Sequence, residues 1–431
     1  MKKTFLYSLL FLPFSVFAQF PLSLSNAIDT ALMYNFEIQI AKNYNEIGKI
    51  NNSIGYAGGL PSVNINAGNN NSQYDLNQKT STGVVIEKND VTSHNINASL
   101  TAGMTLFNGF KILATKERLN ILEAQSEIDL NIQIQNTIAA IMVTYYDIIR
   151  QQAYLEIIKR SLDVSKKKSE IVAERYAVGM ANNADLLQSK IDMNLAEQNL
   201  KTQQIIIDEE KISLLQLMGI TEFFPVSIVD SIITDRTIQK DSIINFLENN
   251  PEYISADQQI RINEQIVKEI RAQRYPTVKI NTGYNYSYSS SSAGFNLFNQ
   301  NYGPTLGASL LIPVFNGNIY KTQQTVASFN VKNAELQRES LLAGLKADAI
   351  KTYQSYENTL QQIESQQANY LNAKELTDLI IQKFQVNQAT ILDVKAAQAS
   401  YESAGYTLVN LQFAAKSAEI ELKRLVFRLD Y

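Results

Sequence analysis

The stretch "NINASLTAGMTLFNG", Asn95–Gly109, decides how this 431-residue chain is read. Ile96, Ala98, Leu100, Ala102, Met104 and Leu106 fall on one side of an extended backbone. Asn95, Asn97, Ser99, Thr101 and Thr105 fall on the other. A period of two is the mark of a β-strand with one apolar and one polar face. Directly after Gly109 come 69 residues without glycine or proline, ending at Gly179. Along them Ile128, Ile132, Gln135, Ala139, Met142, Tyr146, Ile149 and Ala153 step by four and three, a heptad seam with one polar interruption. At about 1.5 Å per residue the helix predicted over 110–178 is ~100 Å long. A compact globule of this chain length is only roughly 55 Å across, so the chain is not one compact globule.

The pattern occurs twice. Asn35, Glu37, Pro61, Val63, Ile65, Asn66 and Gly68 return 215 residues later as Asn250, Glu252, Pro276, Val278, Ile280, Asn281 and Gly283. "FNG" at 107–109 returns at 315–317, and the offset of 208 persists at Val178/Val386, Asp185/Asp393 and Leu217/Leu425. Internal repetition over such distances marks two homologous halves. The first, 19–218, reads as a helix over 24–57, a strand pair at about 62–107 and a long helical hairpin over 110–218. The second, 237–431, reads as a helix, a strand pair at about 277–314 and a hairpin over 318–427, and a linker over 219–236 joins the two. Gly344 is the one weak point of the second rod. The segments 69–94 and 289–303, rich in Asn, Ser and Gly, are predicted as loops.

The first eighteen residues, "MKKTFLYSLLFLPFSVFA", have a charged start, a short apolar run and small residues at Val16 and Ala18. That is the grammar of a cleavable signal peptide over 1–18, too short to span a bilayer. Loss of Lys2 and Lys3 takes the formal charge from −4 to −6, which argues against nucleic-acid binding. An exported chain without cysteine has no disulfide framework and no acylated cysteine. No later apolar run is long enough for a transmembrane helix, so a closed β-barrel is the remaining way into a membrane.

Two readings fit the two-faced strands. One is a soluble sheet with one face on a core and the other in water. The other is a membrane wall, favoured by export, by segments near the ~9–11 residues that a tilted membrane strand needs, and by the lack of a partner layer. Tyr284, Tyr286 and Tyr288 share the apolar face, as an interfacial girdle would. Four strands cannot close a barrel, because small barrels start at about eight. The membrane reading therefore requires several copies, and a water-filled bore needs three rather than two. Asn64, Asn66, Asn97, Thr101, Lys279, Asn281 and Asn285 would then face the lumen.

Enzyme chemistry finds no support. His94 is the only histidine, which removes a zinc cluster and a His-dependent triad, and it reads as a solvated loop residue. Neither a GxxxxGK[ST] loop nor a GxSxG elbow occurs. "DEEK" at 208–211 reads as surface charge. No metal or cofactor is expected, and energy for any transport has to come from another protein.

The leader, the two repeats, the P-x-V-x-I strand starts at Pro61 and Pro276, the paired FNG and the turn "YAVGMANNADLLQSK" (176–190) together resemble the TolC family of outer-membrane efflux ducts. The resemblance covers essentially the whole mature chain. It implies a fold that is mainly α with a membrane β-barrel portion: four strands and two long helical hairpins per chain. It implies a homotrimer with a twelve-stranded barrel in outer-membrane lipid and a helical periplasmic tunnel, with the linker in an equatorial region. It implies a passive duct, pinched at its periplasmic end, that exports what an inner-membrane pump and a periplasmic adaptor deliver. Many relatives carry a lipidated cysteine, which this chain lacks. Phe36 also stands where the family's usual Asn-Pro has its proline, as at Pro251. The alternatives are a periplasmic adaptor or coiled-coil scaffold, which carries one hairpin rather than two beside strand pairs, and a trimeric adhesin, whose heptads run one way.

The hairpin turns are "VGMANNAD" (178–185) and "VNQATILD" (386–393). Asn182 and Asp185, like Thr390 and Asp393, have the spacing of a capping box at a helix start. Gly179 and Asn387 suit a left-handed helix stop. By resemblance Val178, Gly179, Met180, Ala181, Val386, Asn387, Gln388 and Ala389 are where an adaptor's hairpin tips dock. The cargo and the residues of the closed gate are not legible in the sequence.

Overall fold

The computed structural model describes residues 20–429; the predicted leader over 1–18 lies outside them. In chain order the elements are β1 (Phe20–Pro21), α1 (Leu24–Tyr34), α2 (Phe36–Asn51), β2 (Ser62–Lys79), β3 (Val85–Asn108), α3 (Lys111–Ala177) and α4 (Asn183–Leu217). There follow β4 (Val226–Ser227), α5 (Lys240–Phe246), a 3₁₀ turn (Leu247–Asn249), α6 (Pro251–Ala272), β5 (Thr277–Ser291), β6 (Phe298–Leu311), α7 (Ile319–Gln385) and α8 (Ile391–Leu425). Each rod, α3 and α7, has 67 residues; α3 ends within a residue or so of the glycine-free and proline-free run at 110–178, and α7 is proline-free. α7 passes Gly344 without a break.

The helix predicted over 24–57 is in fact two. Asn35, buried, leaves the helical region (φ −59°, ψ 128°) while its amide still donates to the Ala31 carbonyl. Its side-chain oxygen then accepts from the Ile38 amide at 3.0 Å, and its side-chain nitrogen donates to the Leu217 carbonyl at 2.7 Å. One residue thus ends α1, caps α2 and holds the end of α4. Asn250 repeats the latch by donating to the Leu425 carbonyl at 2.8 Å, just before Pro251 opens α6. The residues after α4 and α8 take equivalent left-handed conformations at Gly219 (φ 78°) and Phe427 (φ 57°). Gly219 is confined from outside as well, since a β-carbon there would lie 2.2 Å from the Tyr34 carbonyl oxygen.

The described chain forms two compact units. One comprises residues up to 42 with 130–251 and 342–429, and it is almost entirely helical. Its largest core gathers Ile28 of α1, Ile141, Tyr145 and Ile148 of α3, Leu214 and Leu215 of α4, and Ile420 of α8. Of the predicted seam Ala139, Met142 and Ile149 are buried and the other residues half-buried, whereas the adjoining stripe Ile138, Ile141, Tyr145, Ile148 is buried more deeply. Two neighbouring stripes are what a helix needs when other helices flank it on more than one side. The linker is fastened to this unit by ionic contacts: Lys416 donates to Glu419 at 2.9 Å and to the Ile233 carbonyl, and Lys423 bridges Asp235 and Glu419.

The second unit comprises 43–129 and 252–341. Its helical parts are tied by Arg118 to Glu269 (2.7 Å), Arg338 to Asp257 (2.8 Å), and Gln125 to Ser255. Its sheet has the order β2-β3-β5-β6, antiparallel throughout. The strands outrun the ~9–11 residues expected: β3 has 24 and β2 has 18. Most of the predicted loop 69–94 is therefore ladder, with a turn only at 80–84, and the predicted loop 289–303 shrinks to 292–297. Those outer rungs are mostly polar, with only scattered apolar residues such as Tyr74, Leu76 and Val91, so they show no sustained alternation to read. Side-chain bonds such as Gln73 to Asp90 and Asn77 to Glu87 join them across the ladder. His94 likewise stands on a strand, its Nδ1 2.7 Å from the Asn71 side-chain oxygen, and not in a loop. A bulge at Leu106 shifts the register so that Phe107, not Leu106, pairs with Val278.

Candidate functional site

Opposed residues of an antiparallel ladder point to the same face, so the register alone sorts the sheet. Asn64, Thr101 and Gly283 form one row. Asn66, Ser99 and Asn285 form the next, and Gly68, Asn97 and Ser287 the one after. Asn281 lies opposite Gly103, and Lys279 opposite Thr105 and Ser309. All seven polar residues singled out in the sequence thus share one face. Ser287 donates to Asn97 at 2.8 Å and Ser289 to Asn95 at 2.6 Å, so part of the face is knit across strands.

The opposite face carries the rows Val63, Ala102, Thr282, Leu306 and Ile65, Leu100, Tyr284, Pro304, then Ala67, Ala98, Tyr286, Tyr302. Val63, Ile65, Leu100, Leu306 and Leu310 are exposed. Tyr288 meets Phe298 edge to face, with ring centroids 5.5 Å apart, at the turn end of this face. The rim strands β2 and β6 are each paired on one side only among the described residues. Pro304 sits on the rim, the place in a sheet that tolerates a missing N–H.

The two hairpin turns differ in how fully they are capped. Gly179 (φ 79°) and Asn387 (φ 63°) are left-handed. The Asp185 amide donates to Asn182 at 2.8 Å, and Thr390 and Asp393 form the full reciprocal box. The Thr390 amide and then its hydroxyl donate to Asp393 and hold that carboxyl below its usual range. Val178, Met180 and Val386 are 70, 67 and 64% exposed, and Gly179, Asn387 and Gln388 are also open. Ala181 and Ala389 are different: they turn inward against a small core built on Val172, Phe384 and Val394.

Contacts between the hairpins were not legible, because no spacing within one helix encodes them. Arg175 of α3 donates to the Phe384 carbonyl of α7, with its guanidinium 4.4 Å from the Phe384 ring centre. Lys168, 1% exposed, pairs with Asp192 of α4 at 2.6 Å, and Lys395 of α8 reaches the same carboxylate at 3.4 Å. Burial would raise Asp192, but the bonds from Lys168 and Gln188 outweigh it and keep the carboxyl low. Further along, Arg160 grips both oxygens of Asp378 at 2.6 Å.

Four strands with one wet and one greasy face, carried on two long helical hairpins, define a TolC-like fold. The family model described as "Outer membrane efflux protein" matches residues 27–220 and 243–426, and the chain belongs to that family. It is 19% identical to the outer membrane protein TolC of Escherichia coli K12 over 359 residues, 80% of this chain and 72% of that one. It is 20% identical to TolC of Vibrio cholerae over 308 residues, 69% of this chain and 68% of that one. Among solved structures it is similar to the Campylobacter jejuni CmeC outer membrane channel (TM-score 0.77, 14% identity, 95% of this chain and 87% of that one). It is also similar to VceC of Vibrio cholerae (TM-score 0.72, 20% identity, 94% and 95%).

Proposed function

We propose that this chain is the outer-membrane exit duct of a tripartite efflux or type I secretion system. Three copies close a twelve-stranded barrel, each giving four strands, and their hairpins form a helical periplasmic tunnel. The observation that carries this reading is the sheet itself. Its polar residues share one face, its exposed apolar residues share the other, and its rims are free to pair. In lipid an open rim would leave backbone groups unsatisfied at several kcal/mol each, by order of magnitude, whereas pairing β6 of one copy with β2 of the next satisfies them. The apolar faces meet acyl chains, and Asn64, Asn66, Asn97, Thr101, Lys279, Asn281 and Asn285 line water.

The duct is passive. An inner-membrane pump supplies the energy, and a periplasmic adaptor docks on the tips at Val178, Gly179, Met180, Val386, Asn387 and Gln388, with Ala181 and Ala389 supporting the turns from beneath. The periplasmic end is closed by packing of the hairpins and opens when docking loosens one hairpin of each pair. The chain is exported by a cleavable leader and carries no lipid. Fractionation with electrophoresis of unboiled samples tests the reading: a heat-sensitive trimer in outer membranes supports it, and a detergent-independent periplasmic species supports the adaptor or scaffold alternative.

A further inference from the structure

The connection between β5 and β6, residues 292–297, does not stand clear of the sheet. The Ser292 amide donates to the Thr92 carbonyl at 2.9 Å, and the Thr92 amide donates to the Ser292 hydroxyl at 3.0 Å, which carries the β3–β5 ladder one rung past its last pair. The chain then bends through Gly294 (φ 112°), and the Phe295 amide points to the Gln78 side-chain oxygen at 3.4 Å. A β-carbon on Gly294 would lie 3.4 Å from that oxygen and 3.5 Å from the Leu76 methyl. The connection therefore reaches from β5 past β3 to side chains of β2.

The alternation says which face it covers. Along β2 the face of Asn64, Asn66 and Gly68 continues every second residue to Leu76 and Gln78, and along β3 the face of Asn97 continues to Ser93 and Val91. Val91 is 0% exposed and Ser93 is buried, while Thr92 and His94 between them are exposed. Tyr74 opposes Val91 on this face and is itself exposed, and Ala293 and Gly294, both half-buried, lie where the connection crosses it.

We propose that residues 292–297 form an inward-folded cover that narrows the outer mouth of the bore. The inference rests on the duct reading, in which this face lines the lumen. Three copies of a segment seated on the rungs farthest from the helices project toward a common axis. Leu76 and Val91 form the apolar seat that holds each one down, and an object leaving from within meets the undersides of the covers.

The chain has no cysteine, so Val91→Cys provides a single reporter. Trimers of this variant are compared with the same variant in which 292–297 is replaced by Asn-Gly, using a membrane-impermeant maleimide on whole cells. The cover predicts labelling roughly ten-fold slower when the connection is intact. Equal labelling rates overturn the cover and leave the duct standing. A parent chain that forms no heat-sensitive trimer in outer membranes overturns the duct reading and the cover with it. Should the shortened chain fail to assemble, Leu76→Ser, which removes the seat without touching the ladder, gives the same readout.

Discussion

Replacing Asn35 by alanine removes a helix stop, a helix cap and the bond to the end of α4 together. Loss of a cap and of a buried bond, with the Leu217 carbonyl left unpaired, costs about 2–4 kcal/mol. N35A should lower the temperature at which the assembled protein dissociates on unboiled gels, whereas S23A, at the exposed cap of α1, should lower it far less. Gly179 presents a different case. A side chain there meets nothing within 4 Å, so only the left-handed backbone resists it, by about 1–2 kcal/mol. G179K is expected to reach the outer membrane as a trimer and to export nothing, because the docking surface is altered without the fold; normal export from G179K removes the docking assignment. Asp393 sets a pH limit on its tip. Its folded pKa is depressed by the Thr390 amide and hydroxyl, so its contribution is complete above the ordinary value of 3.8 and fades as pH falls through the lower folded value. The hydrogen-exchange protection factor at the 386–393 turn, taken relative to the intrinsic rate at each pH, should be flat from neutral pH to about 5 and should fall below about 4, and D393N should remove that fall.

The elements differ in how plainly the sequence announces them, and the reason is solvent. The rods were legible because one stripe of each is buried along much of its length, which imposes a period, and because proline is missing until the turn and glycine is missing save for Gly344. The inner halves of the strands were legible because they separate two environments. Their outer halves were not: with water on both sides, residues such as Asn69, Asn71, Gln73 and Asn77 carry no alternation, and only pairing reveals them as strand. The break at Asn35 was hidden because Phe36 lacks the signal that Pro251 gives its counterpart. Of the site, the polar face and the caps were visible, while Lys168, Asp192 and Lys395 meet only after three helices have been brought together. Two glycines test the helix packing. Gly344 has open space around it, so G344A should stabilise α7 by about 0.5–1 kcal/mol. A β-carbon on Gly405 of α8 would lie 2.7 Å from Ile157 of α3 and 3.2 Å from Tyr370 of α7. G405V should therefore destabilise by about 1–3 kcal/mol through overpacking. Thermal dissociation of the two variants, run side by side, reads opposite signs.

At the scale of the molecule, the repeat gives each chain two strand pairs and two hairpins that need not be identical. Each half offers a strand pair and a hairpin, but the halves diverge where their surroundings do: the first strand pair is longer, and the tips carry Val-Gly-Met and Val-Asn-Gln. In the proposed homotrimer there are six hairpins of two kinds, one to move and one to hold. The central claim is that each copy supplies one third of a closed wall. Native mass spectrometry of protein released from outer membranes by detergent tests it most directly. The account predicts a single species of three times the mass of the chain without residues 1–18, falling to one third after boiling; a monomer that stays monodisperse with and without detergent contradicts it.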